Sequence, residues 1–123
     1  MSVGDLDSWE RSVEVNVKGF LYTLAAALPV MREGGGGHVL CLNVENLQTA
    51  DPLYDASRAA MRVILQRLSH ELSGEGIRAS EVRLEDQGRV GPERCAESVR
   101  RLLANPPDDS SRGGFTLQRV SGA

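Results

Sequence analysis

Residues 34–44 read Gly34-Gly35-Gly36-Gly37-His38-Val39-Leu40-Cys41-Leu42-Asn43-Val44, and this stretch decides the fold. Glycine loses more backbone freedom on ordering than any other residue, so the run at 34–37 ends whatever helix precedes it. The segment His38–Val44 is short, apolar and bounded by turn residues. That is the pattern of a strand buried on both faces in a parallel sheet.

Upstream of the glycines, Trp9, Val13, Val17, Leu21, Leu24, Leu28 and Met31 recur at spacings of three and four, a helical stripe over about 8–32. Asp7 and Glu10 give it a capping-box-like start, and Pro29 is expected to bend or loosen its last turn. Downstream, a polar loop, Glu45 to Asp51, leads to a second helix over about 53–73. Ala56, Ala60, Val63, Ile64, Leu68 and Leu72 keep helical spacing there, and Gly74 and Gly76 close it. Ile77 to Leu84 alternates as a second strand, which Glu81 and Arg83 make less apolar than the first. Pro92 opens a third helix to Ala104, at a position where proline is tolerated. A Pro- and Asp-rich loop reaches Gly114, and Phe115 to Val120 reads as the last strand.

Helix and strand thus alternate three times, which predicts an α/β fold: a parallel sheet of about three strands with flanking helices, as one domain over 1–123. Fourteen basic against seventeen acidic residues give a net charge of −3, and no basic stripe is present, which argues against a nucleic-acid partner. The two cysteines, Cys41 and Cys95, lie in apolar stretches without a C-x-x-C pair, so a reduced, cytoplasmic setting is expected. The N-terminus shows no basic region followed by an apolar block, and Leu24–Met31, the longest apolar stretch, is too short for a bilayer. No membrane association is expected.

Three ordered segments resemble the second half of the short-chain dehydrogenase/reductase family. Trp9 to Gly19, with Asn16-Val17-Lys18-Gly19 at its end, is similar to the family's fourth helix, whose V-N-x-x-G carries an active-site asparagine. Gly36 to Leu42 resembles its fifth strand, and Tyr54-Asp55-Ala56-Ser57-Arg58-Ala59-Ala60 resembles its Y-x-A-S-K-A-A. Glu71-Leu72, Gly76-Ile77-Arg78 and the stretch from Gly113 to Gly122 continue the match in register. The resemblance implies a truncated Rossmann-like sheet without the glycine-rich turn that holds a dinucleotide in the family. The glycines at 34–37 are no substitute, because they follow a helix and precede a strand, the reverse of the required order.

The site that the resemblance carries over is incomplete. Asn16 matches the asparagine and Tyr54 the proton-moving tyrosine, while Arg58 stands in place of the lysine. Val44 falls at the serine, after Asn43, and Leu84-Glu85 replaces the family's Pro-Gly. Arg58 lies one helical turn from Tyr54, close enough to interact, but a guanidinium stays charged and cannot relay a proton. The candidate site is therefore Tyr54, Asn16 and Arg58. No cofactor is expected on the chain alone, and NAD(P) only where a partner chain supplies the glycine-rich half.

Other side chains read as structural. His70-Glu71 has Gly74 where a zinc helix needs its second histidine, so no metal is expected. Cys41 sits mid-strand as core, and Glu14 with Lys18 reads as a surface pair; the resemblance implies that Asn16 disturbs helix hydrogen bonding, as the family's asparagine does, and so stands there as a structural kink. Three functions follow from the resemblance. The first is a small-molecule-binding enzyme doing non-redox acid/base chemistry, of the cyclisation or isomerisation type. The second is a subunit or fragment of an NAD(P)-dependent oxidoreductase, and the third a non-catalytic scaffold. Without the first half, the strand at 39–44 becomes an apolar edge, so oligomerisation is expected. The resemblance implies a homodimer through the helices 8–32 and 53–73, with a hetero-oligomer as the alternative.

Overall fold

The computed structural model describes residues 6–44, 52–85, 90–105 and 114–121. The helical stripe forms one continuous helix in three parts: α1 (Leu6–Ser12), a π segment (Val13–Lys18) and α2 (Gly19–Glu33). Ser12 and Gly19, on either side of the π segment, both keep helical backbone angles, so the helix widens there without breaking. The helix starts a residue ahead of Asp7, which stands in the first turn instead of capping it as the capping-box reading had it. Pro29 lacks an amide for its i−4 carbonyl, yet α2 runs on past it to Glu33.

The glycines at 34–37 turn the chain into β1 (Gly37–Val44). There follow α3 (Pro52–Gly74), β2 (Ile77–Leu84), α4 (Pro92–Ala104) and β3 (Phe115–Val120). The expected loops at 45–51 and 106–113 lie outside the described residues, as does the side chain of Val44. All three strands are parallel, in the order β1-β2-β3. Gly37 pairs with Ile77 at one end of β1 and Val44 with Leu84 at the other, while Ala79 to Leu84 pair with Phe115 to Val120.

This order leaves β1 at an edge among the described residues, as expected, but the burial of the strands differs from the sequence reading. β2, the less apolar in sequence, is the centre of the sheet, and even Glu81 is only 1% exposed. β1 is half-buried instead of covered on both faces, with Leu42 43% exposed. The cause is position: β2 has a strand on each side, whereas β1 pairs with β2 alone among the described residues. Alternation then sorts the side chains into two layers. On one face Leu65 of α3 packs with Ala79 and Phe115, flanked by Phe20, Val39, Cys41 and Leu117. On the other, Leu102 of α4 packs with Val82, Leu84 and Val120, flanked by Leu40 and Val99.

Two turns meet back to back at the N-terminal ends of β1 and β2, and there glycine is required. Gly36 has φ +155°, and a Cβ on it would stand 2.7 Å from the Gly76 carbonyl oxygen. Gly76 itself has φ +77°. Because the obstacle is backbone, Gly36→Ala is expected to cost about 1–3 kcal/mol in urea unfolding. Gly74→Ala is the control: its Cβ meets nothing within 4 Å, so it should be neutral or slightly stabilising.

Candidate functional site

The π segment, the first turn of α3 and the end of β1 converge on one place. Inside the π segment, the amide of Gly19 donates to the carbonyl of Glu14, the i−5 bond that widens the helix around Asn16. Lys18 and Glu14 form the expected surface pair at 2.6 Å. Asn16 Nδ2 donates to Ser57 Oγ at 3.0 Å, and Ser57 Oγ donates to the main-chain carbonyl of Tyr54 at 2.8 Å. Ser57 is 5% exposed, so this chain of bonds is sheltered and ties the π segment to the turn that carries Tyr54.

Arg58 holds the third contact. Its Nη2 donates to the Leu42 carbonyl of β1 at 2.8 Å, and its guanidinium carbon lies 5.9 Å from the centroid of the Tyr54 ring. A cation at that distance over a phenol ring is attracted by the ring's negative face. The structure therefore brings Asn16, Tyr54 and Arg58 together, with Arg58 engaging both β1 and the tyrosine ring. Cys41 has its thiol pushed up by burial, against the Arg58 charge and with that of Glu81, which suits a packed core thiol.

Sequence reasoning missed two groups. Ser57, quoted inside the motif but given no role, is the link between Asn16 and Tyr54. Beneath it, Glu81 accepts from Arg62 Nε at 2.8 Å, from Asn43 Nδ2 at 2.8 Å and from Arg83 Nη2 at 3.4 Å. Burial pushes the Glu81 carboxyl up, but hydrogen bonds from Arg62, Asn43 and Arg83 together outweigh it and hold the group below its ordinary value. The available signal was a single carboxylate in the middle of a strand, with arginines at 62 and 83.

Among the described residues, no group of three His, Cys, Asp or Glu side chains is placed to hold a metal ion. His38 Nε2 lies 2.8 Å from Ser80 Oγ across β1 and β2. The glycines at 34–37 offer nothing to a phosphate. Their four amides donate to the carbonyls of Val30, Arg32, Met31 and Gly76. These glycines therefore do not form a dinucleotide-binding turn.

A family model described as short chain dehydrogenase matches residues 2–85. The chain belongs to this family. An uncharacterized oxidoreductase of Staphylococcus saprophyticus is 37% identical to this short-chain dehydrogenase chain over 84 residues, 64% of the chain and 35% of the relative. One of Staphylococcus aureus is 29% identical over 119 residues, 82% of this chain and 51% of the relative. The chain thus spans about half the length of the curated relatives it matches, or less. Among solved structures, a hydroxysteroid dehydrogenase from Escherichia coli superposes with a TM-score of 0.72 at 21% identity, covering 98% of this chain and 56% of that one. A 3-ketoacyl-ACP reductase from Sinorhizobium meliloti gives a TM-score of 0.69 at 20% identity, over 99% of this chain and 62% of that one. At such identities the likeness establishes the fold: a Rossmann-like parallel sheet with flanking helices.

Proposed function

We propose that this chain supplies the tyrosine-bearing half of a nicotinamide-dependent oxidoreductase, with the dinucleotide held by polypeptide outside these 123 residues. The observation that carries this reading is the bonded path from Asn16 through Ser57 to the turn of Tyr54, with Arg58 over the ring. In it Tyr54 moves a proton at its hydroxyl, Arg58 holds the ring and the strand end, and Asn16 and Ser57 fix the turn. A bound nicotinamide would supply the hydride. The non-redox cyclisation or isomerisation reading gains no support, since the curated relatives are described as oxidoreductases.

Nicotinamide fluorescence tests the division of labour. Titrated with NADH and NADPH, the chain alone should show no saturable change. Co-expression with the first half of the staphylococcal relative should create one. Saturable binding by the chain alone would mean that it carries its own dinucleotide site, and the proposal would fall.

The reading extends to assembly and place. Trp9, Tyr22 and Val30 on the first helix are 47%, 70% and 69% exposed, and Val63 of α3 is 52% exposed, so both helices carry large apolar side chains that a partner could cover. We assign this cover to a second copy of the chain through the helices at 8–32 and 53–73, leaving the β1 edge for the dinucleotide half. Light scattering should then return twice the chain mass, and a strict monomer in dilute buffer counts against it. No helix among the described residues is long and apolar enough to cross a membrane. The free thiols Cys41 and Cys95 suit a cytoplasmic setting.

A further inference from the structure

Asn43 is the last described side chain of β1, and it is 5% exposed. Its Nδ2 donates to Glu81 Oε1 at 2.8 Å. Which end of an amide is nitrogen is settled by its neighbours, and here the neighbour decides it. An ionised carboxylate only accepts, so the NH2 end must face Glu81 and the carbonyl end must face away. Glu81 is held in place by Arg62 and Arg83, so this orientation is fixed on both sides. Asn43 Oδ1 is buried and has no hydrogen-bond partner among the described residues.

Buried acceptors without a donor are uncommon, and each one calls for an explanation such as a water, an ion or a ligand group. Its position favours a ligand. Ligands of parallel α/β sheets bind outside the C-terminal ends of the strands, and Asn43 stands at that end of β1. The residue before it, Leu42, has its carbonyl bound by Arg58, one helical turn from Tyr54.

We propose that Asn43 Oδ1 is a fixed acceptor for a donor on the substrate, so that the site takes a hydroxyl-bearing molecule in preference to the carbonyl compound of the same shape. Glu81 is the positioning residue that holds the amide in this orientation. This rests on the reading that substrate sits beside Tyr54 and Arg58. The chemistry follows from lone pairs. A serine hydroxyl can either donate or accept, and so serves a ketone and an alcohol alike. An amide oxygen whose nitrogen is tied to a carboxylate can only accept. A ketone oxygen placed against it leaves both groups unsatisfied in a buried place, whereas an alcohol satisfies both.

The test uses the full chain and a matched pair of probes, cyclohexanol and cyclohexanone, followed through the Asn43 side-chain amide signals in 15N-resolved NMR. Asn43→Ala identifies those signals by their loss. The wild type should bind the alcohol about tenfold more tightly than the ketone, the ratio expected when one buried acceptor goes unpaired. Glu81→Gln can donate as well as accept, which frees the amide to turn, and the ratio should fall towards one. Equal affinities in the wild type would overturn the proposal. So would silence of the Asn43 signals with both probes, the result expected if a water occupies Oδ1, or a ratio that survives Glu81→Gln. Should Glu81→Gln fail to fold, the wild-type ratio still decides. No nucleotide is present, so a negative result here is separate from a failure of the oxidoreductase reading, which the nicotinamide titration judges.

Discussion

Glu81→Ala should lower the unfolding free energy by about 3–5 kcal/mol, a large part of what a domain of this size possesses. The carboxylate is 1% exposed in the central strand and accepts from Arg62, Asn43 and Arg83. Its removal leaves the Arg83 guanidinium, 13% exposed, without that counter-charge and the Asn43 amide without an acceptor. The cost comes from those abandoned donors more than from the bonds themselves. The triple replacement Glu81→Leu, Arg62→Met and Arg83→Leu should therefore be less harmful than the single one, because no buried charge is stranded. Urea unfolding of the two variants beside the wild type settles the comparison. A single variant within about 1 kcal/mol of wild type would mean that the cluster is more hydrated than its burial implies.

Acid provides a second reading of the same cluster. The folded value of Glu81 lies below its unfolded reference of 4.5, so ionisation favours the folded chain. This contribution is complete above the unfolded value and drains away as pH falls through the folded one. Glu97, held at about 2 by Arg100 and Arg101 on α4, adds its own acid dependence at the surface. The difference between wild type and Glu81→Gln isolates the buried group. Below about pH 4.5 the wild type should lose stability more steeply than the variant, and parallel curves would exclude Glu81 as the source.

What the sequence disclosed divides along a physical line. The boundaries of β1, α3, α4 and β3 were legible because each is set locally, by the glycines at 34–37, by Gly74 and Gly76, and by Pro92. The place of Asn16 was legible too, since a short amide inside a helix competes for backbone bonds, and it lies in the π segment. Which strand is the more buried was not. Polarity ranked β2 below β1, but burial depends on how many neighbours a strand has, which no local pattern encodes. Glu81 was misjudged for the same reason. Its partners stand at 43, 62 and 83, on three different elements, and only the folded chain brings them within reach. Ser57 was in view within its motif, yet its role needs Asn16, which is 41 residues away in the chain.

In the oxidoreductase proposed above, the site turns on one hydroxyl. Tyr54→Phe should cut nicotinamide-dependent turnover of the assembled oxidoreductase by about 10²–10⁴-fold, the usual contribution of a positioned acid or base. The same change should barely disturb the architecture. Ser57 donates to the main-chain carbonyl of residue 54, so the bonded path from Asn16 does not depend on the side chain there. The Arg58 guanidinium meets the ring, which phenylalanine retains, and the residue is 40% exposed. Stability should stay within about 1 kcal/mol of wild type, and the solution mass should not change. Arg58→Lys provides the complement: an ammonium can give up a proton where a guanidinium cannot, so turnover should hold or rise. The scaffold reading makes the opposite forecast, with no function sensitive to a single oxygen atom. A folded Tyr54→Phe variant that turns over at the wild-type rate would remove the tyrosine from the chemistry, and Arg58 would then be a strand-end contact and nothing more.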